Sequence, residues 1–189
     1  MCPALGVSLI SPILLVPISP IDPSCLQELS GALAKAFSRR VETLKSSLLD
    51  GSFAFDFSRN QYNSTKILSA LLEKFNNHDA KILGVTGGDL FVPVLTYVFG
   101  EAQFEGKAAV VSLHRLREEF YGLKPDENIF KSRLVKEAIH ELGHIFGLIH
   151  CGNYLCVMHS STGVEEIDLK TEQPCESCRE KLDSLDRCG

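Results

Sequence analysis

His140-Glu141-Leu142-Gly143-His144-Ile145-Phe146-Gly147-Leu148-Ile149-His150 places two histidines four residues apart, a glutamate after the first, then a glycine and a third histidine. Histidines at that spacing share one face of a helix, so two imidazoles can converge on one metal while Glu141, one position along, can hydrogen-bond a water there. His150 cannot complete the set from the same straight helix, because it would lie about 9 Å farther along the axis and roughly 120° off the ligand face. The chain must therefore turn back after His144. Gly147 is placed to allow this, since without a Cβ it takes φ > 0 and ends a helix cheaply. The stretch predicts a long helix, a glycine stop and a three-histidine catalytic zinc site with one position open for water.

HExxHxxGxxH is also the signature of the metzincins, whose metal rests on a methionine turn. Met158 follows His150 by eight residues, and the only other methionine is Met1. Around it stands a second set, Cys151, Cys156, Cys175 and Cys178, spaced C-x4-C, eighteen residues, then C-x2-C. Two close pairs separated by a loop suit a closed tetrahedral structural zinc site, each pair giving one edge. Two disulfides would use the same residues, and a CxxC alone is also a redox motif, but its pairing with a second short cysteine loop argues for metal. Such a site would fix a tail with few apolar residues of its own.

Taken together, HELGHIFGLIHC, Cys156-Val157-Met158 and Cys175-Glu176-Ser177-Cys178 resemble the archaemetzincins, a metzincin family in which the histidine site is fused to a four-cysteine zinc site. The motif-level resemblance spans residues 140 to 178; upstream, only the order of elements compares. It implies that His140, His144 and His150 hold a catalytic zinc, that Glu141 is the general base and Met158 the methionine of the turn. It also implies that Cys151, Cys156, Cys175 and Cys178 hold a structural zinc, making two zinc ions per chain. The implied fold is α/β (α+β) and metzincin-like. A twisted mixed sheet with backing helices and the active-site helix (1–147) stands above a cleft, with a small zinc-stapled C-terminal part (148–189) below it.

Composition fits this expectation. The chain has 189 residues, 44% hydrophobic and 23% charged, which suits one catalytic domain able to bury roughly 70% of its unfolded surface. A net charge of −5 and no run of five or more basic residues argue against nucleic acid as a partner. Residues 1–21 are apolar, but they lack a basic leader and carry Pro3, Pro12, Pro17 and Pro20, so a core strand is expected and neither a signal peptide nor a membrane span. Seven cysteines leave Cys2, Cys25 and Cys188 beside the four ligands, a scatter that suggests no disulfide framework and favours a reducing cytoplasm. A monomer is expected.

Ile13 to Ile18 reads as a buried strand. A helix follows, capped by Asp22 with Pro23 in its first turn and Leu26, Leu29, Leu33 and Phe37 on one face. Arg40 to Lys45 alternates weakly as a second strand, while Phe53, Phe55 and Phe57 fit a strand or a loop equally well. Asn63 or Ser64 caps a helix carrying Ile67, Leu68, Leu71, Leu72 and Phe75. Lys81 to Thr86 is a buried strand stopped by Gly87-Gly88. Tyr97 to Phe104 and Ala108 to Leu113 are two strands joined by a turn at Glu105-Gly106-Lys107. Pro125-Asp126-Glu127-Asn128 opens the long helix, with Val135, Ile139, Leu142 and Phe146 toward the sheet and Glu137, His140, Glu141 and His144 toward the cleft. Tyr97 to Phe104 is the candidate edge strand that would hold a substrate backbone by strand addition.

The chemistry implied is zinc-dependent peptide hydrolysis: the metal lowers the pKa of its water toward about 7, and Glu141 takes the proton and passes it to the leaving amine. A different class, a zinc-stabilised peptide- or protein-binding module with little or no turnover, would keep the fold, although it has no need of Glu141. His78, His114 and His159 are expected to be bystanders, as three histidines already complete the shell. No propeptide is recognisable ahead of the first strand.

Overall fold

The computed structural model describes residues 11–22, 25–45 and 49–188, with side chains to 184. Its centre is a sheet in the order β2-β1-β6-β9-β8, formed by β1 (Ile13–Ser19), β2 (Val41–Thr43), β6 (Lys81–Thr86), β8 (Gly100–Ala102) and β9 (Ala108–Ser112); β3 (Leu49–Asp50) pairs with the far end of β1. All neighbours are parallel except β8 and β9, so the antiparallel strand stands at the edge, as the mixed-sheet expectation required. β4 (Phe55–Asp56), β5 (Gln61–Asn63) and β7 (Leu90–Phe91) form a separate three-stranded sheet.

Side chains alternate across the main sheet and fill two cores. Ile13, Leu15, Leu83, Val85, Ala109 and Val111 pack on one face with α1 (Leu26–Phe37) and α3 (Glu127–Ile145). Leu14, Val16, Ile18, Ile82 and Val110 pack on the other with α2 (Ser64–Lys74). Both faces are covered, which is why these strands read as continuous apolar runs. Fully burying each such aliphatic side chain contributes roughly 1.5–3 kcal/mol.

Of the three helices expected from the sequence, two begin at a side-chain cap. Asn63 caps α2 by accepting from Lys66 N–H, and Asp126 caps α3 by accepting from Asn128 and Ile129 N–H. Cys25, not Asp22, holds the cap position of α1, and no side chain closes that cap. Pro23 lies outside the described residues, as do Met1 to Ile10 of the expected first strand and Cys2.

The expected strand Tyr97 to Phe104 shortens to β8. Ahead of it Val98 N–H bonds the Leu90 carbonyl, which draws the chain toward the small sheet, and beyond it Glu105 at φ 49 closes the turn to β9. The phenylalanine alternation resolves into both of its alternatives: Gly51–Ala54 is a 3-10 turn, Phe55–Asp56 is β4, and Phe57 is exposed. Two helices complete the tail, the short α4 (Val164–Leu169) and the longer α5 (Glu176–Cys188). Cys156, Val157, Met158, Val164, Ile167 and Leu182 all join the larger core and dock the tail, while Ile149, Tyr154, Leu155 and Leu169 stay exposed. Among the described residues, no helix is long and apolar enough to cross a membrane.

Candidate active site

α3 supplies His140, Glu141 and His144 from its last turns, and the chain then reverses. Gly147 takes φ 88; its N–H bonds the His144 carbonyl at 3.0 Å and Leu148 N–H bonds the Gly143 carbonyl at 2.9 Å. These are the two bonds of a Schellman cap. Buried Leu148 anchors the reversal, and His150 comes back to the ligand face. One ligand atom from each of His140, His144 and His150 lies within 4.8 Å of the others.

The imidazoles are oriented from behind. His140 Nδ1 lies 2.9 Å from the Val157 carbonyl and His144 Nδ1 2.8 Å from the Leu148 carbonyl. A carbonyl only accepts, so each Nδ1 carries the proton and each Nε2 presents a lone pair. The two Nε2 atoms face each other at 3.1 Å with no proton between them. Tetrahedral zinc with nitrogen ligands would set them about 3.3 Å apart, so the donor set fits that ion. Burial holds His140 well below its usual 6.5, with Lys170 and His144 adding to the effect, and burial also lowers His144 and His150. Neutral imidazole is the ligating form.

Met158 is fully buried beneath the helix, and the contact requires glycine at 143, since a Cβ there would stand 2.4 Å from the Met158 sulfur. Glu141 is sandwiched between α3 and the edge strand. A Cβ at Gly100 would meet its Cγ at 2.6 Å, so β8 can pass over the carboxylate only as glycine. Burial raises Glu141 well above 4.5, and the carboxylates of Glu137 and Glu101 push the same way.

The four cysteines also converge, with one sulfur of each within 4.8 Å of the rest. Cys151 and Cys175 sulfurs are 3.7 Å apart, against the roughly 3.8 Å edge of a tetrahedral zinc–thiolate site. The Cys178 N–H lowers the Cys175 thiol to about 7, whereas burial raises Cys156 and Cys178. These four and Cys25 are free thiols, and Cys25 stands apart, donating to the Asp22 carbonyl.

A cleft of about 360 Å³ opens over the histidines, walled by Leu95 to Gly100 on one side and Ser160 to Thr162 on the other. The Tyr97 hydroxyl joins the walls by donating to the Thr162 carbonyl. The three remaining histidines stay outside the cluster. His78 and His114 are exposed with their rings against Phe75 and Phe120, and His159 bonds the Cys151 carbonyl. Glu137 lines the cleft but is sealed by Lys170 at 3.2 Å. Val135, expected on the sheet face, is half-buried in a groove shared with Leu29. Lys170 was invisible as a site residue in the sequence, because nothing local marks it; Tyr97 and Gly100 lay inside the expected substrate strand and Gly143 inside the motif, none with a role of its own.

Two imidazoles and a buried carboxylate on a glycine-capped helix, a third imidazole returned to them by the reversed chain, and an antiparallel sheet edge above are the arrangement of a zinc-dependent metallopeptidase, a hydrolase. Comparison with known proteins agrees. The model of peptidase family M54 matches residues 40–184. The chain is 48% identical over 130 residues to the archaemetzincin of Methanocaldococcus jannaschii, covering 69% of this chain and 70% of that one. It superposes on the crystal structure of archaemetzincin from Methanopyrus kandleri with a TM-score of 0.83 at 32% identity, covering 97% and 99% of the two chains. On a zinc-dependent peptidase from Methanocorpusculum labreanum the TM-score is 0.81 at 34% identity, covering 90% and 99%. The chain belongs to peptidase family M54, the archaemetzincins.

Proposed function

We propose that this chain hydrolyses peptide bonds at the histidine centre, with His140, His144 and His150 holding one zinc, Glu141 as general base, and Cys151, Cys156, Cys175 and Cys178 holding a second, structural zinc. The observation that carries the reading is the pair of Nδ1-to-carbonyl bonds that turn the His140 and His144 lone pairs toward one point beside a buried carboxylate. When bound there, zinc supplies a Lewis acid that lowers the pKa of water toward about 7 and polarises a peptide carbonyl. Glu141 takes the proton of the attacking water on its carboxylate and returns it to the leaving amine, a role served by a carboxyl whose proton affinity burial has raised. Met158, packed against Gly143, would support the ligand-bearing helix from below. Substrate backbone adds to the edge strand β8, which ends the sheet order.

Residues 1–147 form the upper part of one catalytic domain and 148–189 the lower, and the enzyme acts as a monomer in a reducing compartment such as the cytoplasm, where thiols remain available to metal. The test is cleavage of a proteome-derived peptide library by the zinc-loaded protein, with Glu141→Ala as the blank. Cleavage abolished in the blank is expected. Equal cleavage by both proteins rejects the assignment, and zinc-loaded wild type that binds peptides but cleaves none makes the chain a binding module.

A further inference from the structure

Lysine is almost never fully buried without a partner, yet Lys170 has no exposed side-chain surface, and its partner Glu137 is 4% exposed. We propose that Lys170 is a positioning residue of the histidine centre: it registers the methionine turn against α3, so that the Val157 carbonyl stays where it fixes the His140 ring. The inference rests on the zinc reading above.

The ammonium has three N–H groups and three acceptors: Glu137 Oε1 at 3.2 Å, the His159 carbonyl at 2.8 Å and the Val157 carbonyl at 3.4 Å. Glu137 stands one turn ahead of His140 on the same helix, while Val157 and His159 flank Met158. One side chain therefore touches both partners whose separation sets the His140 geometry. The Val157 carbonyl has two lone pairs, one directed at His140 Nδ1 at 2.9 Å and the other at Lys170. Cys151 N–H holds the intervening Met158 carbonyl, so three successive carbonyls of the turn are occupied.

Lys170 is itself held firmly. Its N–H bonds the Ile167 carbonyl, Lys136 Nζ donates to the Ile167 and Asp168 carbonyls, and Arg133 grips Asp168 through two bonds of 2.7 and 2.8 Å. Packing alone does not call for such a device. A buried ion pair adds little stability over apolar residues of similar size, while losing one partner is strongly destabilising, and its best-attested use is to fix register. Partners behind metal-ligating histidines typically govern about 10–100-fold in metal affinity.

The experiment compares the full-length wild type with Lys170→Met and with Glu137→Met/Lys170→Met, the latter replacing the ion pair by apolar side chains. Zinc affinity of the histidine site is read by chelator competition, the His140 tautomer by 15N-histidine NMR of the histidine-site apoprotein, and kcat and KM on a cleaved peptide. Both variants should bind zinc at the histidines about 10–100-fold more weakly, lose the Nδ1–H tautomer preference of His140 and lower kcat with KM little changed. Zinc at the cysteines should stay, and the double variant should melt near wild type. Wild-type zinc affinity and tautomer in the double variant overturn the proposal, since Lys170 would then serve only to neutralise Glu137. Failure of both variants to fold also overturns it, making the pair a requirement of the fold. If the wild type itself takes up no zinc at its histidines, the zinc reading falls and this inference with it, whereas unchanged binding in the variants rejects the inference alone.

Discussion

At Glu141, burial raises the affinity for the proton that the base must take, and the same burial disfavours the ionised form in which it must start. Glu141→Gln keeps the volume and removes the base, so turnover should fall by at least about a hundredfold while zinc content stays near wild type. Parallel kinetics and elemental analysis check both halves. The same burial fixes the sign of a pH effect. The folded pKa lies above the ordinary 4.5, so the carboxyl lowers stability once pH exceeds 4.5, most of all above the folded value. Metal-free Glu141→Gln should therefore melt higher than metal-free wild type at pH 7, with the gain shrinking toward zero as pH falls to 4.5. The depressed histidines act the other way. Below their unfolded value of 6.5 the unfolded chain binds protons that the folded site resists, so both metal-free proteins should lose stability from this source on acidification. Gly147 is the second decisive residue. An alanine at φ 88 would cost about 1–2 kcal/mol; Gly147→Ala should lower the melting temperature and weaken zinc binding at the histidines, because the turn it strains is the one that returns His150.

At the scale of elements, the cysteine cluster ties the tail beneath α3. Cys156 is buried in the main core beside Val157 and Met158, so Cys156→Ser should lower the melting temperature and the soluble yield before it affects the chemistry of the histidine site. A thermal melt showing wild-type stability would contradict this. The elements legible in advance were those with local signatures: α3 between its Asp126 cap and the Gly147 stop, α2 from Asn63, and the apolar runs β1, β6 and β9. β3, β4, β5 and β7 are two or three residues long, too short to show a period of two; β3 pairs with distant β1 and β5 with distant β7, while β4 only folds back on β5. The candidate ligands were legible because metal geometry imposes spacing on sequence. The Lys170–Glu137 pair joins residues 33 apart: Glu137 reads as a cleft-facing residue of the long helix, and nothing in the sequence marks Lys170 as its partner.

At the scale of the whole molecule, two metal sites of different character should coexist. Zinc analysis should find up to two ions per chain, one lost readily to a chelator from the open histidine site and one retained by the cysteines. Cys175→Ser/Cys178→Ser should abolish the retained ion, and its survival would refute the four-cysteine assignment. The edge strand is also tied down on either side: ahead of β8 the Tyr97 hydroxyl reaches Thr162 of the lower part, and after it Glu105 N–H bonds the carbonyl of His144 on the active-site helix at 3.0 Å. A slot laced before and after its upper lip behaves as a window with a set aperture and not as a pair of jaws. Its height is decided when the chain folds, so a segment must already be thin and unwound to be threaded, and compact proteins should be refused whatever their sequence.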